Sequence, residues 1–128
     1  MEPVLITDQK HLSIRDELLR LEALLHHPEK GTMRKELEEM TDELFWEVGA
    51  SGNRYSRSFV LSVLEERVEN SNTEDKWETK DAWCNEISAN NFLLTYTLIQ
   101  GKRITRRSSI WRKYENSWKI VYHQGTIV

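Results

Sequence analysis

The closing stretch WKIVYHQGTIV, residues 118–128, sets Tyr122, His123 and Gln124 side by side in a run with the alternation of a strand. A phenol hydroxyl and a carboxamide can fix the orientation of a carbonyl or hydroxyl on a bound molecule, and a neutral imidazole can accept a proton. Period two collects Trp118, Ile120, Tyr122 and Gln124 on one face and Lys119, Val121, His123 and Gly125 on the other. Lys119 prefers water, so the first set is expected to face inward. Tyr122 and Gln124 then reach a cavity, or else satisfy buried backbone groups, which is the more ordinary role. His123 falls on the outer face and could act as a base only where a bulge turns it inward.

A second group lies in RITRRSSIWRKY, residues 103–114. One alternation holds Arg107, Ser109 and Trp111, the other Arg106, Ser108, Ile110 and Arg112, and the pattern leaves open which of them faces in. A guanidinium at Arg107 beside Ser109 could take a carboxylate or phosphate in two-pronged fashion. The plainer reading pairs these arginines across strands with acids such as Asp81 or Glu86. Glu47 is the only acid between Leu44 and Arg57 and is a candidate base, though an ion-paired strand residue is the commoner case. Tyr96 shares a face with Phe92, Leu94 and Leu98, which predicts core filling with the hydroxyl at a rim. Trp46, on the face of Leu44 and Val48, and Trp111 are expected as cavity walls.

Other chemistries lack their residues. His26 and His27 are adjacent at a helix end with His11 far before them, so no metal-ligand spacing is read. Cys84 has no histidine beside it, there is no G-x-S-x-G elbow, and no glycine-rich phosphate loop occurs. No cofactor is expected.

The elements that must position these side chains follow from periodicity. Ile14, Leu18, Leu21 and Leu25 repeat at spacings of four, three and four, an amphipathic helix capped by Thr7 or Ser13 and ended by Pro28. Thr32 is expected to cap a short second helix carrying Met33, Leu37 and Met40. ELFWEVGA, residues 43–50, reads as a strand, SGN at 51–53 as a turn, and Ser56 as the cap of a third helix with Val60, Leu64 and Val68 on one side. Residues 69–76 are polar and acidic and read as a loop. Four strands then follow, near 79–89, 92–100, 103–114 and 118–126, separated at hairpin intervals. Three helices before a long meander predict an α+β cone, a strongly bent antiparallel sheet wrapped over the helices with a hollow between them.

Composition bounds the function. The 128 residues allow one domain, 1–128, burying roughly two thirds of its unfolded surface. A net charge of −3 disfavours nucleic acid, which needs a basic surface. The lone Cys84 admits no intrachain disulfide, the start MEPVLITDQK lacks the features of a signal peptide, and FLLTYTLI is far too short to cross a bilayer. A cytoplasmic protein without membrane contact is expected.

The order of elements, with TDELFWEVGASGNRYSRSFVLSVL (41–64) and RRSSIWRKYENSWKIVYHQGT (106–126), resembles the SnoaL-like, nuclear transport factor 2-like superfamily, and within it a large bacterial subgroup of unknown function. The resemblance spans about residues 8–126. It implies a cystatin-like cone, commonly dimeric through the outside of the sheet, with a pocket inside; it does not imply a reaction, since relatives include isomerases, cyclases, dehydratases and plain binding domains. In steroid isomerases of this superfamily a carboxylate near the first strand abstracts a proton beside a carbonyl. Aligned on TDELFWEVG, that position falls on or beside Val48, and Glu47 reaches it only after a one-residue shift that reverses its face. The reading is therefore a homodimer holding a small, partly apolar molecule among Trp46, Tyr96, Arg107, Ser109, Trp111, Tyr122 and Gln124. The alternatives are an acid/base enzyme in the same pocket, with Glu47, Tyr122 or His123 acting, and an interaction module that uses its outer sheet.

Overall fold

The computed structural model describes residues 1–70 and 76–128. A short 3-10 turn, Gln9–His11, leads into helix α1 (Leu12–His26), followed by α2 (Arg34–Glu39), strand β1 (Thr41–Val48), β2 (Arg54–Ser56), α3 (Arg57–Glu69), and then β3 (Glu78–Ser88), β4 (Asn91–Gln100), β5 (Arg103–Tyr114) and β6 (Ser117–Ile127). Most of the stretch expected as a polar loop, 69–76, lies outside the described residues.

Local chemistry explains the starts and stops. Ser56 caps α3, its hydroxyl oxygen accepting the Phe59 N–H at 3.2 Å. The other expected caps differ: Asp8 accepts from Lys10 N ahead of α1, while Thr7 accepts the Cys84 N–H and so ties the N-terminal segment to β3. Thr32 turns its hydroxyl back to the Glu29 carbonyl, and Met33 stands at the start of α2 without a side-chain cap. Gly101, at φ +64°, makes the β4–β5 turn in the left-handed region that glycine tolerates.

The six strands are ordered β2-β1-β6-β5-β4-β3. The sheet is mixed rather than wholly antiparallel, because β1 runs parallel to β6 while every other neighbouring pair is antiparallel. Strand β2 and helix α3 lie between β1 and β3, so no hairpin ties β1 to its neighbour β6, and it enters parallel. Leu18 and Leu25 of α1, Leu37 of α2 and Leu61 and Leu64 of α3 are sealed against Leu94, Leu98 and Ile120 of the sheet. This apolar seal holds the helices to one face of the sheet and frames the site.

One irregularity decides which side chains face inward. Ile110 of β5 pairs with Tyr122 and its neighbour Trp111 with Ile120, so Val121 is an extra residue in β6. A bulge of this kind exchanges the two faces from that point onward. Ile120 is therefore inward before the bulge, and His123 and Gly125 are inward after it, all three buried. Tyr122 and Gln124 are sent to the outer face, which corrects the expectation from strict alternation.

Candidate functional site

A chamber of about 700 Å³ opens between α3, the C-terminal end of α1 and the inner face of the sheet. Val60, Val63, Leu64 and Leu98 supply apolar wall, Trp77 an aromatic flank, and Glu47, Arg67, Arg103 and Arg107 the charge. Such a size and mixture suits a small ligand. Glu47 faces in because β1 has Phe45 buried and Leu44 and Trp46 exposed, the reverse of the expected alternation for Trp46. Its carboxyl receives no hydrogen bond from any described residue. Burial pushes its pKa above the usual carboxylate range, against the opposing charges of Arg67 and Arg107.

Arg107 forms the inner end of the chamber. Its Nε donates to Thr105 Oγ1 at 3.0 Å and its Nη1 to His123 Nε2 at 3.2 Å. The guanidinium lies on Gly125, where a Cβ would stand only 3.1 Å from Arg107 Cζ and Nη1. Among the described residues no carboxylate comes within ion-pair distance of it. Burial draws its pKa down, and Arg103 adds to this while Glu47 and Glu22 oppose it.

Behind Arg107 lies a closed polar network centred on Glu22 of α1, which is 0% exposed. Trp111 Nε1 donates to Glu22 Oε1 at 2.9 Å, Tyr96 Oη to Oε2 at 2.8 Å, and His26 Nε2 lies 3.0 Å from Oε2. Burial alone would raise Glu22, but the hydrogen bonds it accepts, that from His26 foremost, outweigh burial and hold it far below the usual carboxylate range. Burial and the charge of Glu22 hold the Tyr96 phenol well above its ordinary value, so it stays a donor.

The proton positions follow from what each group can do. A guanidinium only donates, so His123 Nε2 must accept from Arg107, which puts the proton of the neutral ring on Nδ1. Nδ1–H donates to Ser109 Oγ at 2.7 Å. Burial brings His123 down to about 3, with Glu22 opposing and Arg107 adding to the fall, which keeps the ring neutral. Glu22, His26 and His123 offer three ligand atoms within 4.8 Å of one another, a grouping that could hold a metal ion. In this arrangement, however, His123 has a proton on one nitrogen and an arginine on the other, and Glu22 already accepts from Trp111, Tyr96 and His26.

The residues singled out from sequence are thus divided. Glu47 and Arg107 line the chamber, while Ser109, Trp111, Tyr96 and His123 form the network beneath it. The Tyr96 hydroxyl lies deep on Glu22 rather than at a rim. Trp46, Tyr122 and Gln124 are on the opposite face, where Trp46 meets Tyr122 edge-on at 4.9 Å and Tyr122 Oη donates to Gln124 Oε1 at 2.8 Å. The cross-strand pairing expected for the arginines occurs at Arg106 and Asp81, 3.7 Å apart; the Glu86 carboxylate accepts instead from Asn90 N. Glu22 and His26 were missed as site residues. A signal existed, because Glu22 stands four residues after Leu18 and three before Leu25, squarely on the apolar stripe, with His26 four residues further on.

No protein-family model matches the chain, and no curated protein matches it. An NTF2-like protein from Cytophaga hutchinsonii superposes with a TM-score of 0.67 at 12% identity, covering 95% of this chain and 100% of that one. A protein with a cystatin-like fold from Caulobacter vibrioides gives 0.68 at 15% identity over 91% and 89% of the two chains. A protein of unknown function from the DUF3225 family of Pectobacterium atrosepticum gives 0.69 at 16% identity over 94% and 93%. The chain has the nuclear transport factor 2-like fold. At these identities the NTF2-like likeness speaks to architecture alone. No described helix is long and apolar enough to cross a membrane.

Proposed function

We propose that the chamber binds a small, partly apolar molecule carrying a carboxylate or phosphate, with Arg107 as the anchor for that anion. The observation that supports this most is the guanidinium itself, largely withdrawn from water, pressed on Gly125, and lacking an acidic partner. A buried cation of this sort is stabilised by an incoming anion. The Val60, Val63 and Leu64 wall and the Trp77 ring would take the apolar part, and Gln100 Oε1, buried without a hydrogen-bond partner in the wall, would accept from a donor on the ligand.

Native mass spectrometry of freshly purified protein, read for a retained small acid and for subunit count, tests the reading. Thermal shifts with a panel of aromatic and aliphatic carboxylates and phosphates extend it. In Gly125→Ala the new Cβ pushes the guanidinium by a few tenths of an ångström, so the apparent affinity for a binding acid should fall, by up to about tenfold, close to one lost charged hydrogen bond. No retained molecule and no shift from any member of the panel would remove the proposal.

A second reading, acid/base catalysis on a carbonyl compound in the same chamber, is favoured by Glu47, whose carboxyl faces in and is pushed toward its protonated form. We also propose that two copies pair through the outer face of the sheet. Support comes from Leu44 and Trp46, 80% and 43% exposed, beside Tyr122. Sedimentation of Trp46→Ser against the parent chain checks it, a monomeric parent being the contrary result.

A further inference from the structure

His26 lies where the chamber meets the buried network. It lines the chamber, yet its Nε2 lies 3.0 Å from the sealed Glu22 carboxylate. Because Glu22 is ionised and can only accept, the His26 Nε2 must bear hydrogen. In the neutral ring that leaves a lone pair on Nδ1, for which no described residue is a partner and which is not among the buried unpaired atoms. Trp77 flanks the ring in a near-parallel stack, centroids 5.8 Å apart and planes 15° from each other, and His123 lies 4.5 Å away on another side. These contacts fix the plane of the imidazole.

We propose that His26 is the proton acceptor of this chamber and that Glu22 positions it. The inference rests on the chamber being a ligand site. In the step, a proton from an acidic C–H or O–H of the bound molecule goes to Nδ1, and the bonding pair stays on the molecule, where Arg107 can face the negative charge that develops. The imidazolium so formed keeps its Nε2–H on the Glu22 carboxylate, the arrangement that carboxylate–histidine pairs use to hold one tautomer and stabilise the charged ring. Neither residue was assigned a role by sequence pattern, and the acceptor differs from both Glu47 and His123.

The tautomer is directly readable, without any ligand. Nitrogen-15 correlation spectra of the labelled protein above pH 8 should show His26 protonated at Nε2 and bare at Nδ1; a proton on Nδ1 overturns the proposal. Glu22→Gln supplies a sharper second reading. Trp111 can only donate, so it retains the carboxamide oxygen, and the amide NH₂ falls beside His26 and Tyr96. The Tyr96 hydroxyl can rotate to accept, but His26 can accept there only by moving its proton to Nδ1. The variant should therefore invert the His26 tautomer, an effect that a purely space-filling Glu22 would not produce.

Proton transfer itself can be probed with a nitrobenzisoxazole, from which a base removes the ring C–H proton as the N–O bond breaks and a cyanophenolate leaves. Wild-type protein should turn it over faster than free imidazole at equal concentration, and His26→Gln should lose roughly a hundredfold of that rate. Equal rates in the two proteins, or a loss produced by Glu47→Gln in place of His26→Gln, overturn the assignment. If the tautomer and turnover hold while no carboxylate or phosphate binds, the anion reading fails and the acceptor stands.

Discussion

Glu22 and Glu47 are two carboxylates turned toward the same interior, and their environments drive them in opposite directions. Glu22 is completely sealed yet held far below the usual range; Glu47 is less buried and pushed above it. Depth therefore does not decide the protonation state. Supply of hydrogen does: Glu22 receives it from Trp111, Tyr96 and His26, whereas Glu47 receives none from any described residue. The first carboxylate is structural scaffolding for the network, and the second faces open space in the chamber wall.

The largest consequence is at Glu22. Replacing it by Leu leaves the Trp111 and Tyr96 donors buried without acceptors and frees His26. Loss of one partner from a sealed charged network costs ~3–5 kcal/mol, and urea unfolding should show a fall of that order. Glu22→Gln keeps the volume and some acceptors and should lose less. If Leu and Gln cost the same, hydrogen supply is not what distinguishes the two acids.

Acid titration sharpens the contrast through His123. Its folded value of about 3 lies below the ordinary imidazole value of about 6.5, so the unfolded chain takes up a proton that the folded chain refuses. The stability that His123 contributes is present above ~6.5 and is lost as pH falls toward its folded value, at up to roughly 1.4 kcal/mol per pH unit. Glu22, lowered in the folded state, loses its contribution in the same direction but only below the ordinary carboxylate range of ~4.3. Two successive losses are expected on acidification. His123→Gln should flatten the first, between pH 6.5 and 5, while leaving the second; melting curves at pH 8, 6, 4.5 and 3 measure both.

Much of the architecture was legible because it rests on repeating patterns. The Leu18–Leu25 stripe, the Ser56 cap and the turns at 89–90, 101–102 and 115–116 each signal themselves within a few residues. The face of β6 did not, since alternation carries no mark of the extra residue at Val121, and one such residue reverses everything that follows. Tyr122 and Gln124 were thereby exchanged with His123 and Gly125. β1 misled in a related way, because Leu44 and Trp46 look like the inward set but lie outside, leaving Glu47 within. Glu22 was hidden for a different reason: a charged residue on an apolar stripe is read as an interruption until its donors from β4 and β5, 74 and 89 positions away, are known.

The smallest effect is expected at Glu47, and its sign carries the comparison. A carboxyl whose folded pKa is raised favours the folded state below the ordinary carboxylate value, and that contribution is lost as pH rises through the folded value. At neutral pH the ionised group thus opposes folding, the reverse of Glu22. Glu47→Gln removes the charge while keeping the shape, so the melting temperature should rise at pH 7 to 8, by an amount equivalent to ~0.5–1 kcal/mol, and be unaltered near pH 4. A gain confined to the higher pH would mean that the chamber retains an acid at the expense of stability, as a site does when the group has work to perform on a ligand. A loss at neutral pH would instead mean that Arg67 and Arg107 outweigh burial, making Glu47 their counter-ion, and the anion site proposed at Arg107 would then already be filled by the protein itself.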